Sequence, residues 1–398
     1  MLYEGHFNMI FPEFTWWSVI FLLITTHITI LTVTIYLHRS VAHRSLTVSK
    51  PVEHFFRFWC WFTTGQSARE WAAVHRKHHA FCEQPQDPHS PKVYGFWTVL
   101  FKGVMLYRNE AKNPETLEKY GKMTPDDWIE HKLYRKTSIL GLVLLALIDL
   151  FLFGLHGIWI YLIQIAWIPF WAAGVINGLG HFKGYRNFNT TDDSTNIFPW
   201  GIIIGGEELH NNHHAYPTSA KLSMKWYEFD IGWMWIKILS ALKLAKVNKI
   251  YELPVYDKNN NQVNDNSVNV FLGHKYFVWK MFTKHTRSDV RANLKTLRNS
   301  DDSLRLYSLK NLKKIFYNFS GNLSKAEHEL LEKILKNDCL KKLHDYKESL
   351  WKLWNDRHIS FQQIKENLHH LAENASSSKE KSLEKFMQRF MWLKPVTA

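Results

Sequence analysis

Residues 16–43 read WWSVIFLLITTHITILTVTIYLHRSVAH, and this stretch decides the fold. From Trp16 to Leu37 about 22 positions carry no formal charge. A helix over them rises about 33 Å, enough to cross a hydrocarbon core of about 30 Å. The run ends on His38-Arg-Ser-Val-Ala-His43, so a spanning helix would deliver two imidazoles and a cation to one membrane face. A second apolar pair, 138–155 and 158–177, is joined by the turn Gly154-Leu155-His156-Gly157. It predicts a transmembrane hairpin whose first arm is only just long enough and carries Asp149. Phe55 to Thr64 is apolar, too short to span and contains Arg57, which predicts a helix lying in the interface.

The expected fold is therefore all-α and integral to a membrane, with about three spans plus interfacial helices and a His-rich cytosolic cap. Residues 1–15 and the 154–157 turn contain no Lys or Arg. The segments between and after the spans hold Arg39, Arg44, Lys50, Arg69, Arg76, Lys77, Lys183 and Arg186. The positive-inside bias places the N-terminus outside and the remaining polar segments in the cytoplasm. The first apolar run lacks a basic leader and a small-residue cleavage site, so it reads as retained.

The mean hydropathy of -0.27 conceals an asymmetry between an apolar first half and a Lys-rich tail. Residues 1–245 form the expected membrane domain, 246–268 a polar linker containing DKNNNQVNDNS (257–267), and 269–398 a basic helical region. In that region Leu309, Leu312, Phe316 and Phe319 recur at helical steps. Ser324-Lys-Ala-Glu327 is a capping-box pattern ahead of Leu330, Leu331, Ile334 and Leu335, and Ser376-Ser377-Ser378 breaks the last helix from its predecessor. The net charge of +14 would suit nucleic acid or an anionic membrane face; no nucleic-acid motif accompanies it, which favours the membrane. Cys60, Cys82 and Cys339 are scattered, so neither a disulfide framework nor a zinc ribbon is expected.

The chemistry lies in the histidines. On a helix, residues i, i+3 and i+4 share a face, so His75, His78 and His79 converge, as do His210, His213 and His214. Asn177 and His181 also share a face. His38 and His43, five apart, diverge by about 140° on an α-helix, which assigns them to different ions. Nine histidines and an asparagine exceed the four ligands of a tetrahedral zinc but suit two ions. A lone His-Arg-Lys-His-His is more often a solvated basic turn, but several such groups beside predicted spans are not. His27 is expected to pack against a neighbouring helix through a hydrogen bond. Imidazole serves Fe, Zn, Cu and Ni alike, so ligand type leaves the metal open.

The order H-x4-H, H-x2-HH, N-x3-H, H-x2-HH resembles the membrane fatty-acid desaturases of the stearoyl-CoA type, over roughly residues 15 to 245. The similarity extends to Glu70-Trp71, Asp87-Pro88-His89, Gly184-Tyr-Arg186 and Gly206-Glu207, and is nearest to bacterial acyl-CoA desaturases with a helical tail. It implies two iron ions ligated by His38, His43, His75, His78, His79, His181, His210, His213 and His214, with Asn177 acting through a water. O2 would be the co-substrate and an acyl-CoA or acyl-lipid the substrate, in a bacterial inner membrane. Asp87, His89 and Glu207 are expected to support the ligands, and Gln66 and Trp71 to line the acyl tunnel. Arg39, Arg76 and Arg186 are candidates for gripping CoA phosphates. The family's usual first hairpin is reduced here to one clear span. Nothing resembles a fused cytochrome b5, so the electron donor is expected to be separate: a ferredoxin or a cytochrome b5-like protein with its reductase.

Three other readings compete. Hydroxylation or a second desaturation would use the same centre. A zinc transporter would need polar residues along several spans, where only His27 and Asp149 qualify. A membrane-anchored scaffold would leave the histidines unexplained.

Overall fold

The computed structural model describes residues 16–319, 323–356, 358–378 and 380–396; the expectations made for residues 1–15 lie outside it. The chain divides into two compact units, Met1–Tyr251 and Glu252–Ala398. The principal helices of the first are α1 (Trp16–Leu31), α2 (Lys50–Thr64), α3 (Ala68–Phe81), α4 (Phe96–Glu110), α5 (Ser138–Phe153), α6 (His156–Ile168), α7 (His210–Ala215) and α8 (Ile231–Ala241).

Helix α1 runs on into a stretch wound as a π-helix, Thr32–Ala42. Thr25, Thr29 and Thr32 fold their hydroxyls back onto the carbonyls of Phe21, Thr25 and Ile28, so these polar groups need no water. Trp16, Trp17, Ile20, Leu23 and Ile24 are exposed, while Ile30, Ile35 and Leu37 enter the core. Helix α6 likewise continues through a π-wound stretch, Pro169–Ile176, into Asn177–Leu179. Two helices are thus long and apolar enough to cross a membrane: Trp16–Ala42 with 27 residues and His156–Leu179 with 24. Of the three expected spans, helix α5 is the shortest, with 16 residues, about 24 Å, and it pairs with α6.

Polar ties fix these helices together. Gln164 Nε2 donates to Thr25 Oγ1 at 2.9 Å, and Trp235 Nε1 to His27 Nε2 at 2.9 Å, the packing role expected of His27. On α2, Arg57 is 3% exposed and forks onto both oxygens of Asp127 at 2.5 and 2.7 Å, with Glu130 at 3.2 Å. Strands β1 (Leu46–Val48), β2 (Trp200–Gly201), β3 (Phe229–Asp230) and β4 (Ala245–Val247) make two short ribbons. β1 pairs antiparallel with β4, and β2 pairs parallel with β3.

Arg39 anchors this end of the unit. It is buried, and its guanidinium donates to Ala220 O at 2.9 Å, Gly205 O at 3.0 Å and Asp230 Oδ1 at 2.9 Å. Gly206, at φ 102°, passes so close that a Cβ would lie 2.4 Å from Asp230 Oδ1 and 2.7 Å from Arg39 Nη2. Only glycine fits there.

The second unit begins inside the stretch expected to be a linker. Its helices are α9 (Asp265–Gly273), α10 (Lys275–Ser300), α11 (Leu309–Tyr317), α12 (Lys325–Ile334), α13 (Asp338–Asn355), α14 (Phe361–Ser377) and α15 (Lys381–Met391). Strands β5 (Val255–Tyr256) and β6 (Leu393–Lys394) pair antiparallel and bring its two ends together. The predicted Ser324–Glu327 capping box forms, and Leu312, Phe316, Leu330, Leu331 and Ile334 are buried. Helix α14 ends within the serine run. The core of this unit is built from its own residues, Val263 to Leu393.

Candidate metal centre

The π winding after α1 changes the histidine geometry. In a π-helix the hydrogen bond closes from i to i+5, and the His43 amide donates to His38 O at 3.0 Å. Residues five apart therefore stack one turn above each other. The 140° divergence assumed α winding; instead the rings of His38 and His43 meet edge to face at 4.9 Å, within one cluster.

Helix α3 presents His75, His78 and His79, and α7 presents His210, His213 and His214, on the faces their spacing predicts. Five Nε2 atoms converge in a first set. His38 and His213 approach to 3.1 Å, His43 and His75 to 2.8 Å, His79 and His75 to 3.2 Å, and His79 and His213 to 2.8 Å. A second set adjoins it. His78 and His214 approach to 3.4 Å through Nε2, and His210 and His181 to 3.0 Å. The sets touch where the rings of His79 and His214 lie 4.6 Å apart.

Four carboxylates hold the outward nitrogens. The Nδ1 of His38 donates to Glu207 at 2.8 Å, of His78 to Asp87 at 3.0 Å, of His214 to Asp192 at 3.0 Å and of His181 to Glu83 at 3.2 Å. An Nδ1 proton held this way leaves the Nε2 lone pair facing inward, the tautomer a metal requires. Asp87 and Glu207 were expected; Glu83 and Asp192 were not. Glu83 sits at φ 62° just past α3, and Asp192 in an irregular loop, so neither carries a periodic signal.

The electrostatics suit a cation. Burial holds the imidazoles of His43, His75, His79, His210 and His213 well below the ordinary histidine range, and that of His214 at about 4. Burial pushes the Asp87, Asp192 and Glu207 carboxyls up. Their histidine partners outweigh it, and all three lie below their usual range. Neutral imidazoles backed by carboxylates are the deprotonated ligands that metal binding selects. So many Nε2 atoms facing one another cannot all be satisfied by mutual hydrogen bonds. The groups His38, His43, His75, His213 and His78, Cys82, His181, His214 could each hold an ion, as could His78, Asp87, His89. Cys82 was not anticipated. Its Sγ lies 4.0 Å from His78 Nε2, but its other neighbours are the Nδ1 atoms of His181 and His214 that face carboxylates. His89 stacks on His78 with ring centroids 4.5 Å apart, and neither of its ring nitrogens has a hydrogen-bond partner among the described residues.

A largely apolar cavity borders these rings. Val33, Val104, Tyr107, Pro169, Ala172 and Ile176 line it, together with Gln66 and Trp71, and His38, His75, His210, Asn177 and Glu207 form part of its wall. Trp71 stacks on His75, with ring centroids 4.8 Å apart.

The three arginines considered for CoA phosphates all have partners within the fold. Arg39 is buried against Asp230. Arg76 donates to the carbonyls of Val41, Ala42, Tyr120 and Lys122. Arg186 donates to Thr190 O and Oγ1.

Residues 14–237 match the family model described as fatty acid desaturase, which includes every histidine above and stops short of the second unit. A relative from Synechocystis sp. named sn-1 stearoyl-lipid 9-desaturase is 32% identical over 222 residues, covering 55% of this chain and 67% of that one. Delta-9 acyl-lipid desaturase 1 of Arabidopsis thaliana is 30% identical over 238 residues, covering 58% and 75%. An sn-1 stearoyl-lipid 9-desaturase of Anabaena variabilis is 30% identical over 214 residues, covering 54% and 76%. With a family match over more than half its length and relatives this similar, the chain belongs to the fatty acid desaturase family.

Proposed function

We propose that the protein is an O2-dependent fatty-acyl desaturase that introduces a cis double bond at the ninth carbon of a saturated chain. Two iron ions would be held side by side, one by His38, His43, His75, His79 and His213, the other by His78, His181, His210 and His214, with Asn177 acting through a water. The observation that carries this reading is the pair of adjoining Nε2 sets bordering a largely apolar cavity.

Bound iron would supply the O2 activation needed to attack an unactivated methylene pair. Two hydrogens leave adjacent carbons, two electrons and two protons arrive from outside, and O2 ends as two waters. The chain's own residues select and shield. The Val33, Val104, Pro169 and Ile176 walls hold an alkyl chain and exclude water, at about 0.8 kcal/mol per buried methylene. Trp71, stacked on His75, fixes one wall beside the ligand rings. Glu207, Asp87, Asp192 and Glu83 keep His38, His78, His214 and His181 in the ligating tautomer. The electrons come from a separate ferredoxin, or from a cytochrome b5-like protein with its reductase.

In this reading Trp16–Ala42 and His156–Leu179 cross a bacterial inner membrane, the shorter α5 returns the chain between them, and the centre faces the cytoplasm. The substrate chain is carried on a membrane lipid rather than on CoA. Two observations favour the lipid: the relatives are named for lipid-borne chains, and the three candidate CoA arginines are engaged within the fold. Expression in a host lacking unsaturated acyl chains, with mass spectrometry of pulse-labelled pools, tests this. The ninth-carbon alkene is expected first in intact phospholipid, and not at all with His78→Ala. A wild-type profile equal to that of the variant, with both proteins in the membrane, overturns desaturation. First appearance in acyl-CoA overturns the lipid carrier alone.

A further inference from the structure

Helix α10 of the second unit, which the family match does not reach, carries an unusual arrangement of charge. Across Lys275–Ser300 there are seven Lys or Arg and a single acid, Asp289. Six of the cations, Lys280, Lys284, Arg287, Arg291, Lys295 and Arg298, recur at steps of three and four. At 100° per residue they fall within an arc of about 80° and extend about 27 Å along the axis. Another side of the helix, with Val278, Phe282, Thr286, Val290 and Leu294, is buried in the core of the unit. Lys284, Arg287, Arg291 and Lys295 are exposed, and among the described residues no carboxylate pairs with them. Helix α11 packs beside α10 and brings Lys313 near Arg287 and Arg291. The Lys313 ammonium lies below the usual lysine range, through partial burial first and the nearby Arg291 and Arg287 next.

A merely solvated helix face mixes signs, so that i, i+4 pairs offset repulsion. This one concentrates a single sign along a straight line. We infer that the α10 stripe, with Lys313 of α11, is a docking surface for an anionic phospholipid membrane. A protein partner would call for an aromatic or apolar anchor at the centre of the patch. Beside the middle of the stripe stand the small Thr283 and Ser288, while the neighbouring Leu294 is buried in the core of the unit. A row of cations with no anchor matches a fluid anionic surface, which needs charge density and no fixed partner geometry. The choice of lipid rests on the proposed membrane residence, since a chain held at a bilayer keeps this face at high effective concentration near headgroups.

The test uses the full chain in nanodiscs, with a nitroxide at Ser288→Cys and the unsubstituted chain as the labelling blank. Collision with a water-soluble relaxer is expected to fall several-fold on anionic discs relative to neutral ones. It should return in about 1 M salt, where the screening length is about 3 Å. The exposed triple variant Arg287→Gln/Arg291→Gln/Lys295→Gln should lose the shielding, while Arg287→Lys/Arg291→Lys keeps it, with retained helical circular dichroism as the fold control. A label equally accessible on both discs overturns the inference. So does shielding that needs an added acidic protein instead of anionic lipid. Desaturase activity does not enter these readouts, so failure here and failure of the proposed reaction are separable.

Discussion

At the scale of single residues, the centre depends as much on four carboxylates as on the imidazoles they hold. Asp192 and Glu83 do for His214 and His181 what Asp87 and Glu207 do for His78 and His38. Such partners typically contribute about 10–100-fold in metal affinity. Asp192→Asn is therefore expected to weaken iron binding by about that factor, measured by chelator competition, without changing the helical spectrum. The titration follows the same logic. His214 is held at about 4 against an ordinary value near 6.5, so above about 6.5 both folded and unfolded chains leave it neutral. As pH falls from about 6.5 toward 4 the unfolded chain takes up the proton first, and stability is lost in that window. The depressed Asp87, Asp192 and Glu207 push the same way at lower pH. The metal-free chain should melt progressively earlier across that range. A flat melting profile between pH 7 and 4 would contradict it.

At the scale of elements, two π-wound stretches deliver the ends of both long helices to the centre. The spacing within α3 and α7 was legible in the sequence because those segments wind at 3.6 residues per turn. The relation of His38 to His43 was not, because nothing in their side chains announces a change of winding. The carboxylates Glu83 and Asp192 escaped for a related reason: they sit in irregular backbone, where no period exists to read. The arginines are ambiguous in the sequence because cations near a membrane face satisfy the positive-inside bias, bind ligands or anchor the fold with the same letters. Arg39 is an anchor. Arg39→Met removes the partner of Asp230 in a dry site, and losing one member of a buried pair typically costs about 3–5 kcal/mol. Thermal unfolding should drop sharply in that variant; a changed substrate KM with unchanged stability would contradict the assignment. Inserting one alanine between His38 and His43 should rotate His43 out of the first set and lower the iron content of the purified chain.

At the scale of the whole molecule, the residues of the centre all fall within 14–237, and the second unit has its own core. A chain ending at Tyr251 is therefore expected to keep its iron. Loss of metal on that truncation, with the protein still in the membrane, would show that the second unit supports the centre. The asymmetry of charge and hydropathy already separated these regions in the sequence. The length of α5 did not come through, because an apolar run of borderline length looks the same whether its helix ends at 16 residues or continues. The central claim is that the nine histidines form two adjoining sites for iron. The most direct test is metal analysis, by mass spectrometry, of protein purified without oxygen or chelators. About two irons per chain are expected, falling to about one in His213→Ala and in His214→Ala taken separately. A single tightly held zinc, unchanged by either substitution, would contradict the account.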